Sequence, residues 1–335
     1  MRRHHGQGRP ADPARGRLRP RVPAHLITRD DVLAAREAIA GRLHRTPVFS
    51  SATLGPNVSL KAELFQRTGS FKPRGVLNAL EALSPDERAR GVIGASAGNH
   101  AQALAYCAAL EGIDALLVMW RDASPAKVAA TRGYGAEVDL EADGPAVLFD
   151  RLEQLVEETG RTRIDPFEGP ALVVGQGTVG LEIGEDVPDV DVVVVPVGGG
   201  GLVAGIATAL PGVRVVGAEP VLANALSAAL DAGEPVKIHP RSVADGLNAP
   251  FAGELALQIV RERSVEVVTV EEQEIEAAMR LLYERAKLAC EPAGAAAVAG
   301  LMTGKVAVEP GARVVCVVSG GNVAAETAAA ILARP

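Results

Sequence analysis

Apolar and polar positions alternate over residues 58–65, which predicts a short strand. Past Gly75 the period changes, and Val76, Leu80 and Leu83 recur at helical spacing. The segment joining the two reads QRTGSFKPRG, from Gln66 to Gly75. Lys72 therefore sits where a loop becomes a helix. Ser70 is the predicted N-cap, and Pro73 falls in the first turn, where its missing N–H costs little.

The same change of period recurs along the chain. Thr28-Arg29-Asp30-Asp31 reads as a capping box opening a helix over 32–41. A short buried strand at 91–95 runs into Ser96-Ala97-Gly98-Asn99-His100, then an alanine-rich helix closed by Gly112. Strands follow at 115–119 and 136–140, with a Ser124-Pro125 helix start between them and a helix over 145–159. The run 191–196 is too continuously apolar for a sheet edge. Glycines 198–201 come next, then a helix over 202–210 and a strand at 213–218. Helices are predicted at 253–263, 271–289 and 292–302. A last strand at 313–318 leads to Ser319-Gly320-Gly321-Asn322 and a terminal helix. Alternating strands and helices predict an α/β fold, a parallel sheet covered on both faces.

Composition narrows the class. At 335 residues, 48% hydrophobic and 22% charged, the chain reads as globular, with a length suited to about two domains. Aromatics are only 3%, so Val, Leu, Ile and Ala must build the core. A net charge of −7 argues against nucleic acid as a partner. No apolar run reaches the length of a membrane span. Cys107, Cys290 and Cys316 lie far apart inside apolar segments, without metal-ligand spacing, and read as core residues of a cytoplasmic protein. Residues 1–26 are rich in Arg, Pro and Gly and lack the apolar segment of a secretory signal, so a disordered basic arm is expected there.

The chemistry concentrates at strand-to-helix junctions. A lysine at a helix N-terminus sheds its proton more readily than one on an open surface, which suits an imine-forming nucleophile. Gly198 to Gly201 form a loop whose backbone N–H groups can cradle a phosphate. Free N–H groups of Ser96–His100 can hold a carboxylate, and Ser319 offers a hydroxyl at a third junction. In open α/β sheets such carboxyl-end loops converge on one crevice. Pyridoxal phosphate uses all four: an imine, a phosphate clamp, a substrate clamp and a partner for its ring nitrogen. The second half alone admits a rival, because Gly199-x-Gly201-x-x-Ala204 followed by Glu219 matches a dinucleotide fingerprint. A nicotinamide-dependent oxidoreductase would leave Thr68–Lys72 and Ser96–His100 without a task, and a non-catalytic binding protein would leave Lys72 idle.

Segments TGSFKPRG, SAGNHAQALA, GQGT, PVGGGGLVAG, VADGLNAP, EPAGAAAVAG and VSGGN occur in that order. With them the chain from about Ile27 onward resembles the fold-type II pyridoxal phosphate enzymes, in particular the threonine/serine dehydratase (ammonia-lyase) branch. The resemblance implies two doubly wound open-sheet domains, tryptophan synthase β-like, with pyridoxal 5'-phosphate in the cleft between them. The large domain would combine 27–91 with 168–335, and 92–167 would form the small domain. By resemblance Lys72 is the catalytic lysine that holds the cofactor, and Phe71 packs beside the ring. Asn99 bonds the phenolic oxygen, Gly198, Gly199, Gly200, Gly201 and Leu202 cradle the phosphate, and Ser319 meets the ring nitrogen. Ser96, Ala97, Gly98, Asn99 and His100 would hold the substrate carboxylate.

Departures sort the branch. Similar serine racemases carry a serine where this chain has Ala97, so a second acid/base is missing and β-elimination is favoured over racemisation. The metal site of some relatives would fall on Glu219, Ala223 and Ala225; the last offers no ligand, so no tight divalent site is expected, although Asp245 lies in a nearby motif. A single helix follows VSGGN, so no regulatory domain is expected. The expected reaction is β-elimination of L-threonine or L-serine to a 2-keto acid and ammonia, in a homo-oligomer. A serine or aspartate racemase and a hydroxyaspartate dehydratase remain the alternatives.

Overall fold

The computed structural model describes residues 27–334, so the arm expected over 1–26 lies outside the described residues. Ten strands are formed among them: β1 Val48–Ser50, β2 Val58–Ala62, β3 Val92–Ala95, β4 Ala115–Trp120, β5 Glu137–Ala142, β6 Thr162–Arg163, β7 Val192–Pro196, β8 Arg214–Pro220, β9 Glu266–Val270 and β10 Val314–Val318. They make a six-stranded sheet in the order β1-β2-β10-β7-β8-β9 and a four-stranded sheet in the order β5-β4-β3-β6. Every pairing is parallel except β1 with β2. The fold is α/β, with two sheets dominated by parallel pairing.

The continuous apolar runs are explained by two-sided burial. Val193, Val195, Val315 and Val317 feed one core, while Val192, Val194, Val314, Cys316 and Val318 feed the core on the opposite face. With side chains alternating at period two, such a strand has no polar side to spare. A third core packs the alanine-rich helix Asn99–Glu111 against β4 and the helix Lys72–Glu81.

Several boundaries moved. The strand expected over 58–65 ends at Ala62 and continues as a 3-10 turn, Glu63–Phe65. The helix expected over 271–289 is α-helical only for Glu272–Leu281, then widens to a π turn that stops at Lys287 in the left-handed region. The long helix Pro170–Asp186 was not foreseen, because its buried Gly and Val residues show no amphipathic stripe. Its glycines explain it: a Cβ on Gly175 would sit 2.5 Å from the Arg74 carbonyl oxygen, so the two helices pack backbone to backbone.

Candidate active site

Three adjacent strands of the large sheet deliver three loops to one end. After β2 comes the loop leading to Lys72, after β10 the segment Ser319–Asn322, and after β7 the glycines 198–201. The fourth loop, Ser96–His100, leaves the end of β3 in the small sheet. All four lie at carboxyl ends of parallel strands, the place where an open α/β sheet leaves a crevice.

Ser70 is not an N-cap. Its backbone is extended and bridges to Gly320, and its buried hydroxyl has no partner among the described residues. The Phe71 N–H donates to the Ser319 carbonyl oxygen at 3.1 Å, and the Gly321 N–H to that of Gly69 at 2.9 Å. The helix therefore begins at Lys72 with Phe71 in the cap position. Thr68, at φ 61°, holds a left-handed conformation unusual for a branched residue, and its hydroxyl is also buried without a partner.

Lys72 Nζ donates to the Pro166 carbonyl oxygen at 2.6 Å and lies 5.0 Å from the centre of the Phe71 ring. Burial pushes its pKa down from 10.5 to about 8, against the opposing pull of Glu291. The expectation of an easily deprotonated lysine holds, and burial is its cause. Ser319 is buried at the end of β10.

The glycine loop is tight. Gly200 takes φ 90°, and a Cβ there would sit 2.9 Å from that of Ala256. A Cβ on Gly201 would sit 2.7 Å from Gln176 Oε1. Nothing among the described residues accepts from the N–H groups of Gly198, Gly199 and Gly200. Leu202 lies in the first turn of the helix Gly201–Ala209. Unspent N–H donors at a helix start are the chemistry a phosphate needs. Together with the buried Lys72 amine and the orphaned hydroxyls, they fit pyridoxal phosphate.

In the Ser96–His100 loop, the Gly98 N–H donates to Ser96 Oγ at 3.1 Å, and the helix starts at Asn99. Ala97 is buried. His100 Nε2 lies 2.9 Å from the Ile164 carbonyl oxygen, which makes Nε2–H the donor and leaves Nδ1 unpartnered. Burial, aided by Lys72, pushes its pKa down to about 3, so the ring is neutral. Asn99 Nδ2 donates to Glu291 Oε1 at 2.6 Å, and Asn99 Oδ1 accepts from Asn322 Nδ2 at 2.8 Å.

Glu291 was missed by sequence reasoning. It heads the segment EPAGAAAVAG, but an acid before Pro292 at a helix start reads as an ordinary first-turn charge. Missed too was a buried ionic cluster behind Lys72. The Arg74 guanidinium reaches both oxygens of Glu63, at 2.8 and 2.9 Å, and both of Glu182, at 2.7 and 2.9 Å. Lys61 Nζ joins Glu182 at 2.7 Å. Glu219, the first of the doubtful metal ligands, spends its carboxylate on the N–H groups of Leu226 and Ser227, while Asp245 pairs with Lys127.

A family model described as "Pyridoxal-phosphate dependent enzyme" matches residues 39–320. The chain is 41% identical over 306 residues to the "L-threonine dehydratase catabolic TdcB" of Escherichia coli K12, covering 88% of this chain and 92% of that one. It is likewise 41% identical to the "L-threonine ammonia-lyase" of Thermotoga maritima, covering 89% of this chain and 76% of that one. Among solved structures, maize serine racemase superposes with a TM-score of 0.86 at 34% identity, covering 90% and 96% of the two chains. The threonine deaminase of T.th. superposes with a TM-score of 0.82 at 38% identity, covering 89% and 99%.

Proposed function

We propose that this chain, which belongs to the pyridoxal-phosphate dependent enzyme family, is an L-threonine ammonia-lyase that converts its substrate to a 2-keto acid and ammonia. The observation that carries the reading is Lys72: a buried amine with its pKa lowered to about 8, at the meeting point of four loops, in a chain 41% identical to an L-threonine dehydratase and to an L-threonine ammonia-lyase.

Bound pyridoxal phosphate would supply the electron sink that makes the Cα–H of an amino acid acidic. Lys72 would hold its carbonyl carbon, with Phe71 beside the ring. Gly198 to Leu202 would hold its phosphate, Asn99 its phenolic oxygen and Ser319 its ring nitrogen. The Ala97, Asn99 and His100 N–H groups would bind the substrate carboxylate, since those of Ser96 and Gly98 are spent on the Val118 carbonyl and on Ser96 Oγ, and this orients Cα toward Lys72. Lys72 Nζ, whose pKa burial lowers to about 8, takes the Cα proton in its neutral form. Ala97 has no proton to return from the other side, so loss of the β-hydroxyl competes well against racemisation. Neutral His100 keeps its ring on the Ile164 carbonyl and adds no charge.

On this reading residues 92–167 act as a small substrate-loop domain against a large domain of 27–91 and 168–335, consistent with the two separate sheets. Three buried free cysteines suit a reducing cytoplasm. Phe49, in the edge strand β1, and Phe65, exposed and in edge-to-face contact, are the surface to examine in a homo-oligomer. No described helix is long and apolar enough to cross a membrane.

The test is 2-keto acid release from L-threonine, L-serine and threo-3-hydroxyaspartate with pyridoxal phosphate supplied. Fastest release from L-threonine is expected. Absence of release from all three overturns the assignment.

A further inference from the structure

The buried carboxyl of Glu291 has no part in the reaction above, yet it touches Asn99. Its backbone N–H donates to the Gly320 carbonyl oxygen at 3.1 Å, which anchors it to the Ser319 loop. Its Oε1 presses against Gly320, where no Cβ would fit, and lies 3.5 Å from where a Cβ on Gly246 would stand. The carboxyl is thus wedged between two glycines and directed at the Asn99 amide.

We infer that Glu291 is a positioning residue that fixes which way the Asn99 amide faces. Asn99 Nδ2 gives one N–H to Glu291 Oε1, and Asn99 Oδ1 accepts from Asn322 Nδ2. Asn322 Nδ2 is held in turn by the Thr68 carbonyl oxygen at 2.7 Å. Donor faces acceptor at both ends. A flipped amide would set N–H against N–H at Asn322, whose own amide the Thr68 carbonyl holds. It would also set oxygen against oxygen at Glu291 when that carboxyl is ionised; a protonated Glu291 would have to turn its O–H to meet it and give up the acceptor it now offers. In the observed orientation the second N–H of Asn99 is the one donor left for the cofactor.

Burial, with Asp245 adding to it, pushes the Glu291 pKa up from 4.5 to about 8, against Asn99, Lys127 and Lys72. Below that pH it is a neutral acid, which can still accept from Asn99 without placing a negative charge beside the reacting groups. A lasting carboxylate there would hold Lys72 protonated and slow its work as a base.

The inference rests on the proposed contact of Asn99 with the cofactor, so the experiment carries Asn99→Ala as its reference. Apoprotein is reconstituted with pyridoxal phosphate, and both the visible absorbance band and the cofactor dissociation constant are measured. Glu291→Met keeps the length of the side chain and removes the acceptor. It should shift the band as Asn99→Ala does and weaken cofactor binding by up to about tenfold, the range of one net hydrogen bond. The double variant should add nothing more. Glu291→Gln retains an acceptor oxygen and should stay within about twofold of the parent. A parental band and dissociation constant in Glu291→Met, beside an altered Asn99→Ala, overturn the role of Glu291. Equal damage from Gln and Met does the same. An unaltered Asn99→Ala overturns the contact beneath it. Should Glu291→Met fail to fold, Glu291→Asp withdraws the carboxyl from Asn99 by one methylene and must give the same band shift; a parental band there counts against the inference.

Discussion

The Nζ of Lys72 rests 2.6 Å from the carbonyl oxygen of Pro166, a residue that lies just past the last strand of the small sheet. One hydrogen bond to a neutral carbonyl does little to retain the ammonium against burial. The free protein thus keeps its nucleophile easier to deprotonate than a surface lysine, and in place.

That relationship predicts a pH dependence. The neutral amine is the nucleophile, so cofactor uptake by the apoprotein should rise about tenfold per pH unit below about 8 and level off above it. An unperturbed lysine would keep rising towards 10.5. Stopped-flow absorbance at a series of pH values reads the midpoint. Lys72→Ala should give no covalent visible band and lose at least about 10² in rate, the lower range for one general base. A rate still climbing beyond that midpoint, towards the ordinary lysine value, would show that the amine is not buried in solution.

Arg74 predicts a stability effect two residues from the reactive one. Its guanidinium is nearly inaccessible, at 2% relative exposure, and is the hub for Glu63 and Glu182. Arg74→Met would leave Glu63 without its charge partner in a dry site. Breaking such a pair costs about 3–5 kcal/mol. Urea unfolding of the apoprotein should show that loss. A change under about 1 kcal/mol, the range of an exposed pair, would mean that water or a second cation reaches the cluster.

Lys127 and Asp245 make the opposite case. They join the helix Pro125–Gly133 to the turn Asp245–Leu247, bridging the two sheets, but Asp245 is more than half exposed. Exposed pairs contribute about 0.2–1 kcal/mol. Lys127→Met should therefore raise KM for L-threonine by no more than about fivefold, with kcat nearly unchanged. Steady-state kinetics at two salt concentrations check this, because screening should narrow the difference. A large fall in kcat would place Lys127 in the chemistry.

Much of this site was legible because its residues lie in local signals. The loop to Lys72, the glycines 198–201, Ser96–His100 and Ser319–Asn322 each interrupt a strand-to-helix change of period. Three of them converge because β2, β10 and β7 are neighbours in one sheet, while Ser96–His100 arrives from β3 of the other sheet and is tied in through Asn99 to Glu291 and Asn322. What stayed hidden depends on contacts between distant segments. Nothing local marks Glu291 as buried against Asn99, 192 residues away in sequence. Lys61, Glu63 and Glu182 look like surface charges until Arg74 brings them together. The N-cap assignment to Ser70 failed for the same reason, because a non-local bridge to Gly320 claimed its backbone.

Ala97 bears on the choice between elimination and racemisation. It is buried between Ser96 and Gly98, in the loop that orients the substrate. Lys72 can remove the Cα proton from one side only, and inversion needs a donor on the other. A methyl group at position 97 cannot serve. Ala97→Ser adds one hydroxyl in a loop where Ser96 Oγ is already tied to the Gly98 N–H, so the new group has no backbone donor of its own to satisfy first. The variant should convert part of its L-serine to the D-enantiomer while retaining most keto acid release, which chiral chromatography of recovered serine reads directly. General acid catalysis contributes about 10²–10⁴ in rate, so even a poorly placed hydroxyl should bring racemisation above the parental background. Unchanged chiral purity would show that access to the far side of Cα, rather than the missing proton, limits inversion in this chain.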